Sequence, residues 1–114
     1  MMAKYLVVYI CNNGFASKAM DVARSSGARG GTILHGRSSL DASHQTFFGI
    51  TIHPEKDVLF ILTNETEKGA IINAINDHYG VKSEARGVLF TLAVDKTVGL
   101  DFKQTFKGDK DEIL

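Results

Sequence analysis

Two successive strand, helix, strand units in the 114-residue sequence predict an α+β fold, a ferredoxin-like βαββαβ sandwich. Three observations support it: continuous apolar runs that favour strands, helical spacing of apolar residues after the first and third runs, and a glycine where each helical pattern ends. We expect one four-stranded antiparallel sheet with two helices on one face. One domain should span residues 1–102, followed by a flexible, charged tail over residues 103–114.

The first unit opens with a run of strand-favouring residues, Tyr5–Ile10. Asn12, Asn13 and Gly14 follow, and residues of these types form turns and helix N-caps. We therefore expect the first helix to begin near Phe15.

Glycines mark the passage from this helix to the second strand. Gly27 stands where the apolar spacing of the helix ends, as a C-terminal glycine does. Gly30 and Gly31 are expected to reverse the chain through positive φ angles that other residues disfavour. The second strand is then predicted over Thr32–Arg37.

The second unit repeats the plan. Val58–Leu62 is an apolar strand, and Asn64 with Glu67 three residues later resembles a capping box at the start of a helix. Gly80 ends that helix, and Val88–Val94 is the last strand. Four residues share one face of the helix and predict its buried side, with the histidine as a core or interface residue: Ile71, Ala74, Ile75 and His78.

The strands Leu6–Ile10 and Val58–Leu62 are apolar at every position, so both faces of the sheet should be buried. Two helices can cover only one face. We therefore expect a second copy of the chain to cover the other face, in a homodimer or homotrimer with ligand sites at clefts between subunits.

Charge and composition exclude several classes of function. The sequence has 13 basic and 13 acidic residues, and the basic ones are scattered, so no nucleic-acid partner is expected. The six-residue apolar run near the N-terminus is too short for a signal peptide or a membrane span, which predicts a cytoplasmic protein. Cys11 is the only cysteine and is predicted to be a buried strand-end residue.

The glycine-flanked turn at Gly27, Gly30 and Thr32, the strand after it and the polar segment that follows resemble the nitrogen-regulatory P-II signal-transduction family. The resemblance covers nearly the whole chain. It implies a homotrimer that binds an adenine nucleotide, ATP or ADP, at subunit clefts, often together with 2-oxoglutarate. It also implies a regulated partner, a membrane transporter or an enzyme, that is contacted by a long T-loop.

The resemblance also places the functional segments. The T-loop corresponds to Ser38 to roughly Lys56, the B-loop to Val81–Gly87, and a C-terminal segment to Asp95–Phe102. The implied ligand-binding residues lie beside the first two segments: Thr32, Gly36, Arg37, Lys82, Arg86 and Gly87. The polar part of the T-loop, expected to be mobile without ligand, comprises Ser38, Ser39, Leu40, Asp41, Ala42, Ser43, His44 and Gln45.

The chain departs from the family pattern at several positions. The family B-loop carries Gly-Asp-Gly-Lys with its lysine on the nucleotide phosphates, whereas only Gly87 matches here, and Arg86 or Lys82 would have to replace the lysine. Gly99 and Asp101 stand near the place of two phosphate-binding arginines. The T-loop contains no tyrosine to accept a uridylyl group.

Two other functions compete with a regulator. A small enzyme acting on an anionic substrate would use His35 or His44 as general base and Arg37 as substrate clamp. No convergent acid and base pair or metal-ligand spacing accompanies these residues, so we expect neither catalysis nor a metal site. A structural oligomer without a ligand is the third possibility, which the missing phosphate-binding residues favour.

Overall fold

The computed structural model describes residues 3–39, 46–47, 50–51 and 54–100 and confirms the predicted fold. Four strands form one antiparallel sheet in the order β2-β5-β1-β6, and β3 pairs with β4 in a separate two-stranded ladder. The elements in chain order are β1 (Lys4–Asn12), α1 (Ala16–Ser25), β2 (Thr32–Arg37), β3 (Thr46–Phe47), β4 (Ile50–Thr51), β5 (Glu55–Asn64), α2 (Glu65–Tyr79) and β6 (Val88–Val94).

The two central strands are longer than the apolar runs that predict them. Lys4 pairs with Asn64 and Asn12 pairs with Lys56, so polar residues extend the ladder at both ends. Backbone pairing does not require apolar side chains, and these polar residues are only partly buried where the sheet meets solvent. Residues 101–114 lie outside the described part of the chain, as does the predicted tail within them.

The core lies between the helices and one face of the sheet. It contains Val7, Tyr9, Cys11, Leu59, Ile61, Ala16, Ala19, Met20, Ala23, Ile71 and Ile75. Cys11 is fully buried, as predicted, and burial raises the pKa of its thiol. His78 is exposed, so its placement in the core is wrong. Its Nδ1 donates to the carbonyl oxygen of Ala74 at 2.9 Å, and Tyr79 packs against the core instead.

The opposite face of the sheet carries no helix and is almost entirely apolar. We call it the helix-free face. Its buried centre is Val8, 5% exposed, which pairs with Phe60 and Phe90 on the neighbouring strands. Val58 to Leu62 are therefore not uniformly buried in the protomer, because alternate residues point away from the helices. The face comprises Leu6, Val8, Ile10, Leu34, Val58, Phe60, Leu62, Val88, Phe90 and Leu92.

The two helices begin in different ways. Asn64 accepts a hydrogen bond from the Glu67 N–H at 2.9 Å, which confirms the predicted cap of α2. Phe15 occupies the N-cap position of α1 and makes no capping side-chain bond, so of the two roles predicted for Asn12, Asn13 and Gly14 the helix cap is not observed. Asn12 ends β1, and Asn13 and Gly14 form the predicted turn, which a carboxylate from β5 binds.

The glycines between α1 and β2 act in two ways. Gly27 has φ +113°, the left-handed conformation predicted for the end of the helix. Gly30 and Gly31 do not have positive φ, so that expectation is wrong. A Cβ at Gly31 would lie 2.8 Å from the carbonyl oxygen of Phe60, and the glycine therefore permits close approach to β5.

Candidate functional site

Two positively charged segments lie at the same end of the sheet but at opposite edges. They are the end of β2, with Arg37, and the loop before β6, with Lys82 and Arg86. Arg37 at the end of β2 pairs with Glu55, and Val88 at the start of β6 pairs with Ile10 near the end of β1. The strand order places β5 and β1 between them, so the two edge strands are about 14 Å apart at this end. Within one protomer, Arg37 and the loop that carries Arg86 therefore lie at opposite edges of the sheet.

The six predicted ligand-binding residues occupy different places within the protomer. Gly36 and Arg37 are exposed at the end of β2. Thr32 lies five residues earlier and pairs with Phe60, on the helix-free face, where it lines an apolar hollow of about 260 Å³ with Leu6, Phe60 and Leu62. Lys82 lines an open groove of about 500 Å³ together with Asp77 at the end of α2.

The loop before β6 is tightly folded and holds Arg86 outward. The Ser83 hydroxyl donates to the Gly80 carbonyl oxygen at 2.7 Å, and the Arg86 N–H donates to the Ser83 carbonyl oxygen at 3.0 Å. Arg86 is exposed and has φ +50°, a backbone conformation uncommon for a residue with a side chain. Because these hydrogen bonds fix the backbone of the loop, little backbone entropy would be lost when the Arg86 guanidinium binds a ligand.

Gly87 has a packing role that the sequence did not reveal. A Cβ at this position would overlap the carbonyl oxygen of Tyr79 and the ring of Tyr9. The Tyr9 hydroxyl donates to the same Tyr79 oxygen at 2.8 Å, and the Gly87 N–H donates to Gly80 at 3.1 Å. The Gly87 N–H therefore already has a hydrogen-bond partner within the protomer.

A buried carboxylate in β5 organises the end of the sheet between the two charged segments. Asp57 is 2% exposed and accepts hydrogen bonds from the Gly14 N–H at 2.9 Å, Asn13 Nδ2 at 3.1 Å and His35 Nδ1 at 2.7 Å. Burial tends to raise the pKa of the Asp57 carboxyl, but bonds from the Gly14 N–H, His35 and the Ala16 N–H outweigh it and hold the pKa below its ordinary value. The ionised carboxylate thus binds the turn that leads into α1.

Asn12, beside that turn, joins β1 to the loop before β6. Its backbone N–H donates to Ala85 at 2.8 Å, its Nδ2 donates to Glu84 at 2.9 Å, and its Oδ1 accepts from Lys56 Nζ at 2.8 Å. Together with Asp57, it connects β2, β5, β1 and the loop that carries Arg86. The Asn-Asn-Gly sequence after a strand was a signal for a turn, but nothing local indicated these partners.

Several solved structures resemble the chain, whereas no family model and no curated protein matches its sequence. GlnK of B. subtilis is 12% identical with a TM-score of 0.63, over 84% of this chain and 89% of that one. Its complex with ATP gives the same identity and TM-score over 84% and 88%. PII of Arabidopsis thaliana bound to citrate is 18% identical with a TM-score of 0.62, over 100% and 94%.

The chain has the P-II fold. Within this P-II fold, β3 and β4 fall in the segment predicted as the T-loop, and the loop from Val81 to Gly87 falls where the B-loop was predicted. Ser38 and Ser39 are described, and the Ser38 N–H donates to the Pro54 carbonyl oxygen at 2.8 Å. Leu40 to Gln45 lie outside the described residues, so the mobility of that segment remains a prediction.

Within the described residues of this P-II fold, a further cavity lies at the opposite end of β5. It has a volume of about 50 Å³ and is lined by Gly27, Arg29, Thr63, Asn64 and Glu67, among others. The Thr63 hydroxyl is buried and has no hydrogen-bond partner among the described residues. Over the same part of the chain, no cluster of His, Cys, Asp and Glu side chains could hold a metal ion. No described helix is long and apolar enough to cross a membrane.

Proposed function

We propose that the chain is a cytoplasmic, P-II-like regulator that binds a small anionic effector at the clefts of a homotrimer. ATP and ADP are the leading candidates for the effector. Binding would change the order of the loop over residues 38–45 and so the affinity for a regulated transporter or enzyme. Catalysis is not part of this proposal. The observation that carries it is the position of the two arginines at one end of the sheet but at opposite edges, Arg37 at the end of β2 and Arg86 in the loop before β6.

The helix-free face supports the oligomer. Phe90 and Leu92 are 45% and 52% exposed in the protomer although both are large and apolar. Covering apolar surface contributes roughly 25 cal/mol for each Å² removed from water, so a face of this extent favours association. In a closed ring, the β2 edge of one subunit would lie beside the β6 edge of the next, which removes both exposed edges.

The same arrangement would complete the ligand site. Arg37 of one subunit and Arg86 of its neighbour would face one cleft, with Lys82 available as a further cation. Phosphate and carboxylate groups accept paired hydrogen bonds from guanidinium groups. Gly36 is exposed at the end of β2, where a backbone without a Cβ allows close approach of an anion. Gly87 would act here through packing, by fixing the loop that carries Arg86.

The first experiment is a thermal-shift panel of ATP, ADP, 2-oxoglutarate, citrate and bicarbonate on the full chain. A ligand that binds only the folded protein at a hundredfold over its Kd should stabilise it by about 2.7 kcal/mol. The variant Arg37→Ala/Arg86→Ala should lose that stabilisation, since each charge-assisted hydrogen bond contributes about 1.5 to 3 kcal/mol.

The matched control is Lys18→Ala/Arg24→Ala, which removes two positive charges from the exposed surface of α1. It should keep both the oligomer and the ligand-induced shift. If no compound in the panel stabilises the wild-type protein, or if the double arginine variant responds like the wild type, the proposed effector site is wrong.

A further inference from the structure

We propose that His35 contacts the bound effector, its Nε2 donating to a phosphate or carboxylate oxygen beside Arg37 while Asp57 holds the ring. This inference rests on the proposed function and adds a residue to the same site. His35 would be a second residue of β2, besides Arg37, that contacts the anion just before the loop begins.

The two ring nitrogens of His35 have different surroundings. Nδ1 lies 2.7 Å from Asp57 Oδ1, and an ionised carboxylate can only accept, so Nδ1 carries the proton. The His35 side chain is 72% exposed although its partner is 3% exposed. Nε2 has no hydrogen-bond partner among the described residues, which leaves it available to a ligand.

His35 lies on the same side of β2 as Arg37. The two residues are two apart in β2, so their side chains lie on the same side of the strand about 7 Å apart. Across the ladder, Asp57 pairs with His35 and Glu55 pairs with Arg37. Neither carboxylate favours an anion, so the anion would be held by the Arg37 guanidinium and by the His35 ring, whose Nε2 donates only when both ring nitrogens carry a proton.

Hydrogen bonds hold the described groups around the pair in place. Lys56, between the two carboxylates in sequence, binds Asn12 Oδ1 at 2.8 Å. Asn13 and Gly14 bind the Asp57 carboxylate, so the carboxylate that holds the ring is itself fixed. A ring fixed before binding loses little conformational entropy when the ligand arrives, which favours a binding role for an otherwise exposed side chain.

Substitution of His35 by asparagine tests the role of Nε2 separately from that of Nδ1. Asparagine keeps an amide donor near the place of Nδ1 and removes any group at the place of Nε2. Calorimetric titration with ATP, ADP and citrate should show affinity about tenfold weaker in His35→Asn than in the wild type.

Two further variants make the test decisive. His78→Asn, at an exposed position on α2, should match the wild type. His35→Gln, whose amide reaches the place of Nε2, should recover part of the affinity. Thermal unfolding without ligand checks that each variant is folded.

The outcomes distinguish this inference from the proposed function. Equal ligand affinity in His35→Asn and wild type, or no recovery of affinity in His35→Gln, overturns the role of His35 and leaves the effector site standing. A wild-type protein that binds none of the three ligands overturns the proposed function, and the role of His35 with it.

Discussion

Aspartate in place of Phe90 should convert the proposed homotrimer into a folded monomer of 12.4 kDa. Phe90 lies on the helix-free face opposite Val8 and is 45% exposed in the protomer, so a charged side chain there can reach water while the subunit is alone. Between two packed sheets the same charge would be buried without a partner, at a cost of several kcal/mol. The substitution therefore acts on association far more than on folding.

Light scattering after size exclusion would measure the mass, with circular dichroism as the check on folding. The wild type should have about 37 kDa, three times the mass of 12.4 kDa. Ala70→Asp, at an exposed position on α2, is the control and should leave the assembly intact. A monomeric wild type at micromolar concentration would contradict the oligomer, and an oligomeric Phe90→Asp protein would place the interface on another face.

Replacing Asp57 by asparagine should lower the free energy of unfolding at pH 7 by about 2 to 3 kcal/mol, because charge-assisted hydrogen bonds are lost in a buried place. Asparagine has one acceptor oxygen for the donors of Gly14, Asn13 and His35, which now converge on a carboxylate. The turn before α1 loses its anchor. Chemical unfolding at pH 7 would measure the difference between the two proteins.

The pH dependence of this effect has a defined sign. The pKa of Asp57 is held below its ordinary value of 3.8, so the carboxylate stabilises the folded state above that pH. The stabilisation is lost as the pH falls through the folded-state pKa. The gap between wild type and Asp57→Asn should therefore be full at pH 6 and close at strongly acidic pH.

Asp21→Asn is the matched control for the pH series. Its carboxylate is exposed and lies 3.4 Å from the Arg24 guanidinium, so its loss should change stability by less than about 0.5 kcal/mol. A gap between wild type and Asp57→Asn that stays constant down to pH 3 would show that the Asp57 charge does not stabilise the fold.

The fold could be predicted because its signals are local. The apolar runs of β1 and β5, the spacing of Ile71 and Ile75, and the cap at Asn64 each depend on residues close in sequence. The helix-free face also followed from the strands, since unbroken apolar runs leave a second face that two helices cannot cover.

The candidate site was harder to predict because its contacts are distant in sequence. Asp57 binds Gly14 across 43 positions, and Asn12 binds Glu84 across 72. The sequence places a carboxylate just before an apolar run but gives no sign of its partners. Gly87 was assigned to the ligand, whereas its packing against Tyr9 depends on a contact between β1 and the start of β6. Leu40 to Gln45, which the resemblance predicts to be part of a T-loop, lie outside the described residues.

The central claim is that each effector site takes Arg37 from one subunit and Arg86 from its neighbour. Mixing equal amounts of Arg37→Ala and Arg86→Ala protein, after dissociation and reassembly, tests it by titration with the ligand found in the panel. If the site is shared, random assembly should restore wild-type affinity at about a quarter of the sites, because that fraction pairs an intact Arg37 with an intact Arg86. No restored site in the mixture, with the mixed oligomers verified by mass, would contradict the account.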